Sequence, residues 1–577
     1  MKPMSIKSYG ALKFPVFDPF KSLATPASYI IFKDGDVVKA KNGETGEIEF
    51  SGTDAATIIQ ETINCVASLG GGKVLIKKGV YTINEMILVP NGSSNITIEG
   101  EDKYGVVLET GKECEYGSVI RLGDIGQVSK ITVRNLTIRI RHNGWRWGIL
   151  IRPGESSVDT DITIEDVNLV SDIGWYANPS DTTSYTVGIC IATLEGIAFT
   201  VERYRVRNCR VYNFAYGIRG GGANATLRDL IIEGNVVDLN QTSFIATSGI
   251  IFRGENLIIR SNVVKRVGDT GIEAAWADNV VIEGNTLIDA SILLSRSIKN
   301  AVVRGNTIIT DQHEVPQFIK YLPAETVETH NIVVEGNTLI NSYINISGTP
   351  ETFVHMRNII IKGNAIYIGT KAAYGIYIDV DPSYNIEDLT IIDNVIRNES
   401  DVAEAVRGIY VSGDTTLTIA NNRIYLYKTD ELALAILVVH SSLAHIRNNI
   451  IRGTGSPFQN IWVNYGTLYI FEENDFEPTG TVGIGGDAGT TIFRRNRNYT
   501  TENSGTATII AGNTYVDVAH GLAGAPDISK VRVTPRDDLG GRSFWVEEHP
   551  TDPDTYFRIY ISSTDTVDHL FNWYAEV

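Results

Sequence analysis

Residues 257–288 read LIIRSNVVKRVGDTGIEAAWADNVVIEGNTLI and contain the pattern that decides the fold. The phrase apolar-x-apolar-x-x-Asn-x-apolar occurs twice in this stretch, around Asn262 and Asn285. Between the two copies stands a second phrase, a small residue followed by Ile, here Gly271-Ile272. Alternating apolar positions indicate strands whose side chains point to opposite faces in turn. Each repeat therefore predicts at least two short strands joined by turns.

The asparagine phrase recurs along most of the chain, at intervals of 21 to 31 residues from Asn208 onward. Strands that return at this interval stack on their counterparts one coil later, which predicts a parallel β-helix of about fourteen coils. Because asparagine tolerates left-handed backbone angles and its amide can bond the same group one coil above, we interpret the repeated residues as structural. They are Asn135, Asn208, Asn235, Asn262, Asn285, Asn306, Asn337, Asn364, Asn394, Asn422 and Asn449, with weaker copies at Asn474 and Asn496 and with Asp166 in the same slot.

Composition narrows the class of protein. The 577 residues include 50 Lys and Arg against 68 Asp and Glu, a formal net charge of −18. A chain with 43% hydrophobic and 20% charged residues is too apolar for a disordered protein and too polar for an integral membrane protein. The negative charge argues against general binding of nucleic acid or of an anionic membrane. We therefore expect a globular, all-β protein.

Cysteine spacing and the N-terminus give two further expectations. The four scattered cysteines form no CxxC pair, so neither structural zinc nor a disulfide framework is indicated: Cys65, Cys114, Cys190 and Cys209. The first 20 residues contain no apolar run long enough for a signal-peptide core. We expect an extracellular or virion-associated protein with no signal peptide in this chain, either because the chain is a mature form or because the protein leaves its cell by another route, such as lysis.

The two ends of the chain differ from the repeats. Residues 28–52 read as strands joined by turns, and residues 54–64 as a helix with an Asp N-cap that covers the first coil. From about Asn503 a new alternation with Gly, Pro and Asp turns begins. We predict an N-terminal extension with β-hairpins (1–52), the β-helix (53–500), and a C-terminal β-sandwich for oligomerisation or carbohydrate binding (501–577).

The helix and the strand after it, DAATIIQETIN and GGGKVLIKKGVYTI, resemble the N-terminal signature of the pectate lyase superfamily. The resemblance implies a right-handed parallel β-helix over roughly residues 50–500, and its members include pectin lyases, polygalacturonases and phage tailspikes. The C-terminal segment is similar to small β-domains at the ends of tail-fibre and lectin-like proteins. No catalytic motif of these enzymes is found at matching positions, so no catalytic residue can be carried over.

The turn between the asparagine phrase and the next small-Ile phrase varies most in length, so a groove is expected beside the small-Ile strand. There the residue after Ile points outward, which places Arg219 and Glu273 on one face, with Arg253 beside them. This cluster is either an ion-pair ladder on the surface or a catalytic site. The two arginines are expected to keep Glu273 ionised, and Asp269 is the candidate acid for hydrolysis.

Two further regions could bind substrate. Between Lys130 and Arg152 the chain has seven basic residues or histidines and no acid, which predicts a local cationic patch. Aromatic residues gather in the adjacent turns, where they either anchor loops or stack on sugar rings. The substrate-binding candidates are Trp145, Arg146, Trp147, Arg152, Trp175, Tyr176 and, in the insertion that also holds His313, Glu314 and His330, Lys320. The spacing of these histidines does not favour a metal site, and no cofactor is expected.

These observations predict a protein that binds a polysaccharide, possibly an acidic one, and cleaves it. A lyase reaction is slightly favoured over hydrolysis because cations can neutralise a uronate and a Lys or Arg can act as base. A non-catalytic tail-fibre or tailspike-like adhesin is the alternative from another class. By analogy with tailspikes we expect a homotrimer, with no nucleic-acid partner and no membrane insertion.

Overall fold

The computed structural model describes residues 27–178, 181–192, 197–221, 224–241, 247–310, 318–322, 329–347, 356–370, 372–380, 385–398, 405–427, 432–454, 457–485 and 487–577. The chain divides into two compact units. Unit 1 comprises Met1–Ala215 with Gly222–Thr226, and unit 2 comprises Tyr216–Gly221 with Leu227–Val577. Each is described by itself below. The domain boundaries expected from the sequence stay a prediction.

Unit 1 begins with the antiparallel strands Tyr29–Asp34, Val37–Asn42 and Ile48–Gly52, followed by the helix Ala55–Ser68. Asp54 caps the helix as predicted, because its carboxylate accepts a hydrogen bond from the Ala56 amide at 3.2 Å. The helix buries one apolar face against the neighbouring strands, through the residues Ile58, Ile59, Ile63 and Val66. The expected helix is therefore confirmed.

The remainder of unit 1 is built from parallel strands that fall into three rows. Row A comprises Gly72–Ile76, Ser94–Gly100, Ser129–Arg134, Thr163–Glu165 and Arg205–Arg207. Row B comprises Gly79–Ile83, Val106–Thr110, Thr137–Ile140, Asn168–Ser171 and Arg210–Tyr212. Row C comprises Ile87–Val89, Gly117–Leu122, Trp145–Ile151 and Val187–Ile191. Unit 1 also has a parallel pair, Val158–Thr160 and Phe199–Glu202, and a hairpin, Tyr176–Asn178 and Asp181–Tyr185.

The coils of unit 2 are likewise built from three rows of parallel strands, lettered in the same way, and some strands run through rows C and A without a break. Those continuous strands are Ser248–Arg260, Thr270–Glu283 and Ile292–Arg304. The other row A strands are Ala225–Glu233, Thr329–Glu335, Met356–Lys362, Asn385–Ile392, Asp414–Ala420, Leu443–Arg447, Leu468–Glu472 and Thr490–Arg494. The other row C strands are Tyr216–Gly220, Phe318–Leu322, Tyr343–Ser347, Tyr374–Asp379, Val406–Ser412, Ala433–Val439, Phe458–Asn464 and Thr481–Ile484. Row B comprises Val236–Asp238, Val263–Lys265, Thr286–Ile288, Thr307–Ile309, Thr338–Ile340, Ala365–Ile368, Val395–Asn398, Arg423–Tyr427 and Ile450–Thr454.

Unit 2 ends in two antiparallel three-stranded sheets that share one buried core. The first contains Glu502–Ile509, His569–Glu576 and Arg532–Pro535, and the second contains Tyr515–Ala519, Tyr556–Ile561 and Phe544–Glu548. A short 3-10 helix, Ile528–Lys530, precedes Arg532–Pro535. The predicted all-β fold with parallel coils is thus confirmed.

The small residue before Ile is explained by close packing of row C on row B. A side-chain carbon at Gly249 would lie 2.6 Å from a methyl group of Val264 and 2.6 Å from the carbonyl oxygen of Gly271. Only glycine fits at that distance, and the following Ile250 fills the coil interior, where it is fully buried. The small-Ile phrase therefore marks the strands of row C. The residue directly after the isoleucine must point outward, because the isoleucine points into the coil interior.

An internal asparagine ladder runs through unit 2 from Asn235 to Asn496. At Asn306, for example, the side-chain oxygen accepts hydrogen bonds from both the amide and the side chain of Asn285, each at 2.9 Å. The Asn306 side chain in turn donates to the carbonyl of Ile282 and to the side chain of Asn337. Each side-chain amide within such a ladder has hydrogen-bond partners although it is buried. The structural interpretation of these asparagines is confirmed, including the copies at Asn474 and Asn496.

The sequence led us to expect left-handed backbone angles at the ladder asparagines themselves. In unit 2 the left-handed residue is instead the one before each ladder asparagine. Gly305 precedes Asn306 and has φ +60°. In unit 1 the repeated Asn135, Asp166 and Asn208 themselves have φ between +53° and +58°. They thus occupy the glycine slot, and the ladder slot after them holds a buried apolar residue, such as Leu136. These three residues are not part of the ladder.

Asn306→Ala is expected to lower the free energy of unfolding by about 3 kcal/mol, because it removes the acceptor of the backbone and side-chain N–H groups of Asn285 and the donor to the carbonyl of Ile282. Urea titration measures the change. Asn572→Ala is the matched control, since Asn572 is an exposed asparagine on the extended strand His569–Glu576 of the same unit. Its substitution is expected to cost less than about 1 kcal/mol. Equal effects of the two variants would contradict this account of the ladder.

Candidate functional site

The outward positions of row C form the column that the sequence predicted. In unit 2 Arg219 is in register with Ile251, and Ile251 with Glu273. The column continues through the pairs Glu273–Leu293, Leu293–Lys320, Lys320–Asn345, Asn345–Tyr377 and Tyr377–Tyr410. Arg219 and Glu273 therefore lie on one face two strands apart, about 10 Å along the coil axis.

Glu273 is a largely buried carboxyl at the centre of this face. Its Oε1 accepts a hydrogen bond from Ser295 Oγ at 2.8 Å. Burial raises the pKa of Glu273, the nearby Asp269 carboxylate adds to the increase, and Ser295, Arg253 and Arg296 oppose it. The net effect on the pKa of Glu273 is opposite to the one expected from the arginines, because the cost of desolvating the carboxylate outweighs their attraction. Glu273 is suited to donating a proton.

Arginines surround this carboxyl. The guanidinium of Arg253 lies 3.8 Å from the ring centroid of Trp276, and that of Arg296 lies 5.0 Å from the same ring. The guanidinium of Arg219 lies 4.7 Å from the ring of Tyr216. Stacking on aromatic rings holds guanidinium groups in fixed orientations. Trp276 is 38% exposed, so this assembly lies at the surface of the column.

Arg253 is the most constrained of these cations. Burial lowers the pKa of Arg253, the neighbouring Arg219 and Arg296 lower it further, and Glu273 opposes them. Among the residues that the structure describes, no carboxylate oxygen lies within 4.0 Å of the Arg253 or Arg219 guanidinium. A group of cations that repel one another has a strong affinity for an anion. The cluster can therefore bind a carboxylate or another anionic group of a ligand.

Trp276, Arg296 and Ser295 were missed in the sequence. The strands are out of register by one residue at Arg253, and again at Trp276, so these residues bulge at the bend between rows C and A. Arg253, Trp276 and Arg296 occupy equivalent bends in consecutive coils, and Trp276 and Arg296 have φ of +43° and +70°. Reading each strand of the predicted column for three more residues, past Glu273 and past Leu293, would have reached all three of the missed residues.

A second cluster lies in unit 1, in a pocket of about 330 Å³ that is lined by Tyr116, Arg121, Arg146, Trp147, Leu150, Arg152 and Ala192. Of the predicted substrate-binding residues, the structure brings Arg146, Trp147 and Arg152 together here. The Arg146 guanidinium lies 5.1 Å from the Trp147 ring, and Arg152 donates to Asp124 at 2.7 Å. Arg121, which also pairs with Asp124, was not predicted. With several arginines near one acid, the pocket suits an anionic ligand.

The other predicted aromatic residues lie outside this pocket. Trp145 is only 1% exposed, and its indole N–H donates to the carbonyl of Lys112 at 2.8 Å. Its assignment to substrate binding is corrected, because a buried indole cannot present a face to a sugar. Trp175 and Tyr176 are half-buried near the hairpin in which the Tyr176 and Tyr185 rings lie 5.5 Å apart.

The expected cationic patch between Lys130 and Arg152 is largely neutralised by acids from other coils. Arg134 pairs with Glu99 and Glu165, and Arg139 pairs with Asp172. Each of these acids is more than 30 residues away in the chain, so no local count of charges could reveal them. The predicted local cationic patch is therefore reduced to the arginines that line the pocket.

Exchange of Arg146 and Arg152 for Glu is expected to weaken binding of an acidic polysaccharide at least about tenfold, because it removes two cations and adds two anions to the pocket. Gel electrophoresis in the presence of polygalacturonate or alginate measures the affinity. Exchange of Arg139 and Arg141 for Glu makes the same charge change outside the pocket and is the control. Equal retardation of the two double variants would show that the pocket residues have a structural role and do not bind the polysaccharide.

The insertion after row B is described only in part. The backbone of Lys320 is in register with Leu293 and Asn345, as the column requires. The side chain of Lys320, and His313 and Glu314 altogether, lie outside the described residues. Within the described part of the chain no cluster of three or more His, Cys, Asp or Glu could hold a metal ion. Among the same residues no helix is long and apolar enough to span a membrane.

Comparison with known proteins addresses the fold. The sequence matches the family described as "Right handed beta helix region" over residues 148–313 and 193–355. The coils form a right-handed parallel β-helix. The resemblance to the pectate lyase superfamily is thereby confirmed as a resemblance of fold. Comparison with curated protein sequences gave no match.

Solved structures similar to this β-helix include three from phages and bacteria. The Pseudomonas phage phi297 tailspike gp61 is 11% identical, and the match covers 90% of this chain and 91% of the tailspike chain with a TM-score of 0.36. The tailspike of E. coli bacteriophage HK620 in complex with pentasaccharide is 12% identical, with coverages of 91% and 90% and a TM-score of 0.37. The A-module of the mannuronan C-5 epimerase AlgE6 from Azotobacter vinelandii is 13% identical, with coverages of 77% and 94% and a TM-score of 0.33. Similarity of this size assigns neither substrate nor activity to the β-helix.

Proposed function

We propose that the protein binds an acidic polysaccharide along row C of unit 2 and cleaves it beside Glu273 by β-elimination. The observation that carries this proposal is the assembly of Arg219, Arg253 and Arg296 around one largely buried carboxyl. Such an assembly binds a uronate and can move protons beside it. The arginine-lined pocket of unit 1 supports the same class of ligand.

In β-elimination a base removes the proton from the carbon next to the uronate carboxylate. The electron pair of that C–H bond forms a C=C double bond, the C–O bond to the next sugar breaks, and the leaving oxygen takes up a proton. Arg219 and Arg296 neutralise the uronate, which makes the proton more acidic. Arg253 takes the proton in its neutral form, reached after it has released its own proton to solvent and made more accessible by its lowered pKa, and protonated Glu273 supplies a proton to the leaving oxygen. Trp276 positions Arg253 and Arg296.

Hydrolysis is a second candidate, and the position of Asp269 favours it. The Asp269 carboxylate is close enough to raise the pKa of Glu273. A protonated Glu273 could then act as general acid while Asp269 acts as base or nucleophile, as in enzymes with two carboxyl groups. The roles of the two residues are the reverse of those expected from the sequence, because burial raises the pKa of Glu273.

Incubation with acidic and uncharged polysaccharides tests the proposal. We expect depolymerisation of at least one uronate-containing polymer and of no uncharged one, measured as new reducing ends. Parallel incubation of Glu273→Gln locates the reaction, since that variant should release about a hundredfold fewer ends. Retention of a polymer without cleavage would identify a non-catalytic adhesin, which would contradict the enzymatic part of the proposal.

We further expect a homotrimer that acts outside cells or on a virion. Light scattering should give three times the mass of one chain at micromolar concentration. The monomer mass under those conditions would contradict this expectation.

A further inference from the structure

The outer face of the second C-terminal sheet carries a row of aromatic side chains. Tyr515 is in register with Tyr560, and Tyr560 with Trp545, across three neighbouring strands. The ring centroids of Tyr515 and Tyr560 are 5.9 Å apart, and those of Tyr560 and Trp545 are 5.2 Å apart, with planes inclined by 6°. Tyr515 is 44% exposed and Trp545 is 41% exposed. A row of this kind on a sheet face is a candidate binding surface.

A polar row lies directly beside the aromatic one. Arg558 is in register with Asp517 and Glu547. Its guanidinium lies 4.0 Å from the Tyr515 ring centroid and donates to Asp517 Oδ2 at 3.1 Å. The Trp545 indole N–H donates to Glu547 at 3.0 Å. These contacts fix the rings in place, so little side-chain freedom remains to be lost when a ligand binds.

We infer that this aromatic row, Tyr515, Tyr560 and Trp545, binds the rings of an uncharged polysaccharide. The C–H faces of a sugar pack on aromatic rings, while its hydroxyl groups donate to carboxylates. Asp517 and Glu547 supply those acceptors beside the rings. The site lies on different strands from the Glu273 cluster and goes beyond the function proposed above.

Charge selects an uncharged ligand over an acidic one. Arg558 is paired with Asp517, and the hydrogen bonds from Arg558 hold the pKa of Asp517 below its usual range. Glu547 and Glu548 add negative charge on the edge strand. An anionic sugar would be repelled, whereas neutral hydroxyl groups find fixed acceptors.

The same charges disfavour a second copy of the chain as the occupant. Two identical faces brought together would place carboxylates of Asp517 and Glu547 near one another. Like charges brought together at an interface repel one another. We therefore assign the surface to a glycan, and light scattering distinguishes the two occupants.

The test uses the full chain in native gels that contain dextran, mannan or galactan, with polygalacturonate as the acidic comparison. At least one uncharged polymer should retard the wild type. Trp545→Ala and Tyr515→Ala should each weaken that retardation about tenfold, as removal of a stacking ring at a binding surface does. Tyr104→Ala, which removes a 63% exposed ring in unit 1, is the control and should bind as the wild type does.

Three results would overturn the inference. They are the absence of retardation by every uncharged polymer, variants that bind as tightly as the wild type, and a change in mass of Trp545→Ala in light scattering. The last would identify a second copy as the occupant. Because acidic polymers are tested in separate gels, failure of this site is distinguishable from failure of the Glu273 cluster.

Discussion

Glu273→Gln is expected to lower turnover on the responsive polysaccharide about a hundredfold or more. The substitution preserves the shape of the side chain and its contact with Ser295 but removes the proton that the leaving oxygen requires. Steady-state kinetics with the wild type and the variant measure the loss. Binding should change much less, because the arginines that engage the uronate remain.

The control for this experiment is Glu255→Gln. Glu255 lies in the same unit and forms a surface ion pair with Arg228, so its substitution makes the same chemical change away from the cluster. A Glu273→Gln variant with near-full activity would show that Glu273 is only part of an ion-pair ladder. The search for a catalytic group would then move to the insertion that contains Lys320.

The same substitution has a consequence for stability that depends on pH. Burial raises the pKa of Glu273 in the folded state, so the folded protein binds this proton more tightly than the unfolded chain does. The stability associated with the protonated carboxyl is fully present below the ordinary glutamate pKa and is lost as the pH rises through the raised value. Glu273→Gln should therefore melt at a higher temperature than the wild type at neutral pH, and the two should converge in acid. An unchanged difference across that range would contradict the raised pKa.

Arg253→Ala is expected to lower kcat/KM about a hundredfold, the second large effect. It removes the cation nearest to Trp276 and, in the elimination mechanism, the base. Arg253→Lys should recover only part of the activity, because lysine keeps the charge but lacks the planar guanidinium. Arg228→Ala, at the surface pair with Glu255, is the matched control. Wild-type kcat/KM in Arg253→Ala would exclude Arg253 from the site.

The fold was predictable because its pattern is local and repeated. The small-Ile phrase located row C and its outward column correctly, since a strand alternates its side chains whatever its neighbours are. The asparagine phrase was less exact, because Asn135 and Asn208 look like ladder residues in sequence but stand one position earlier, in left-handed turns. Only the backbone angles separate the two slots.

The site was predictable in part. Arg219 and Glu273 follow from the column, and Arg253 lies two residues after the column residue Ile251, at the next outward position of that strand. Trp276 and Arg296 were missed because a bulge shifts the register, and strand alternation does not anticipate a bulge. The burial of Trp145 and the ion pairs of Arg134 depend on residues from other coils, which the local sequence does not show.

The most direct test of elimination beside Glu273 is the ratio of unsaturated to reducing ends released from a uronate-containing polymer. Ultraviolet absorbance counts the unsaturated ends, and a reducing-sugar assay counts all new reducing ends. β-Elimination predicts one unsaturated end for each reducing end, with both lost together in Glu273→Gln and Arg253→Ala. Reducing ends without ultraviolet absorbance, or no new ends on any acidic polymer, would contradict it.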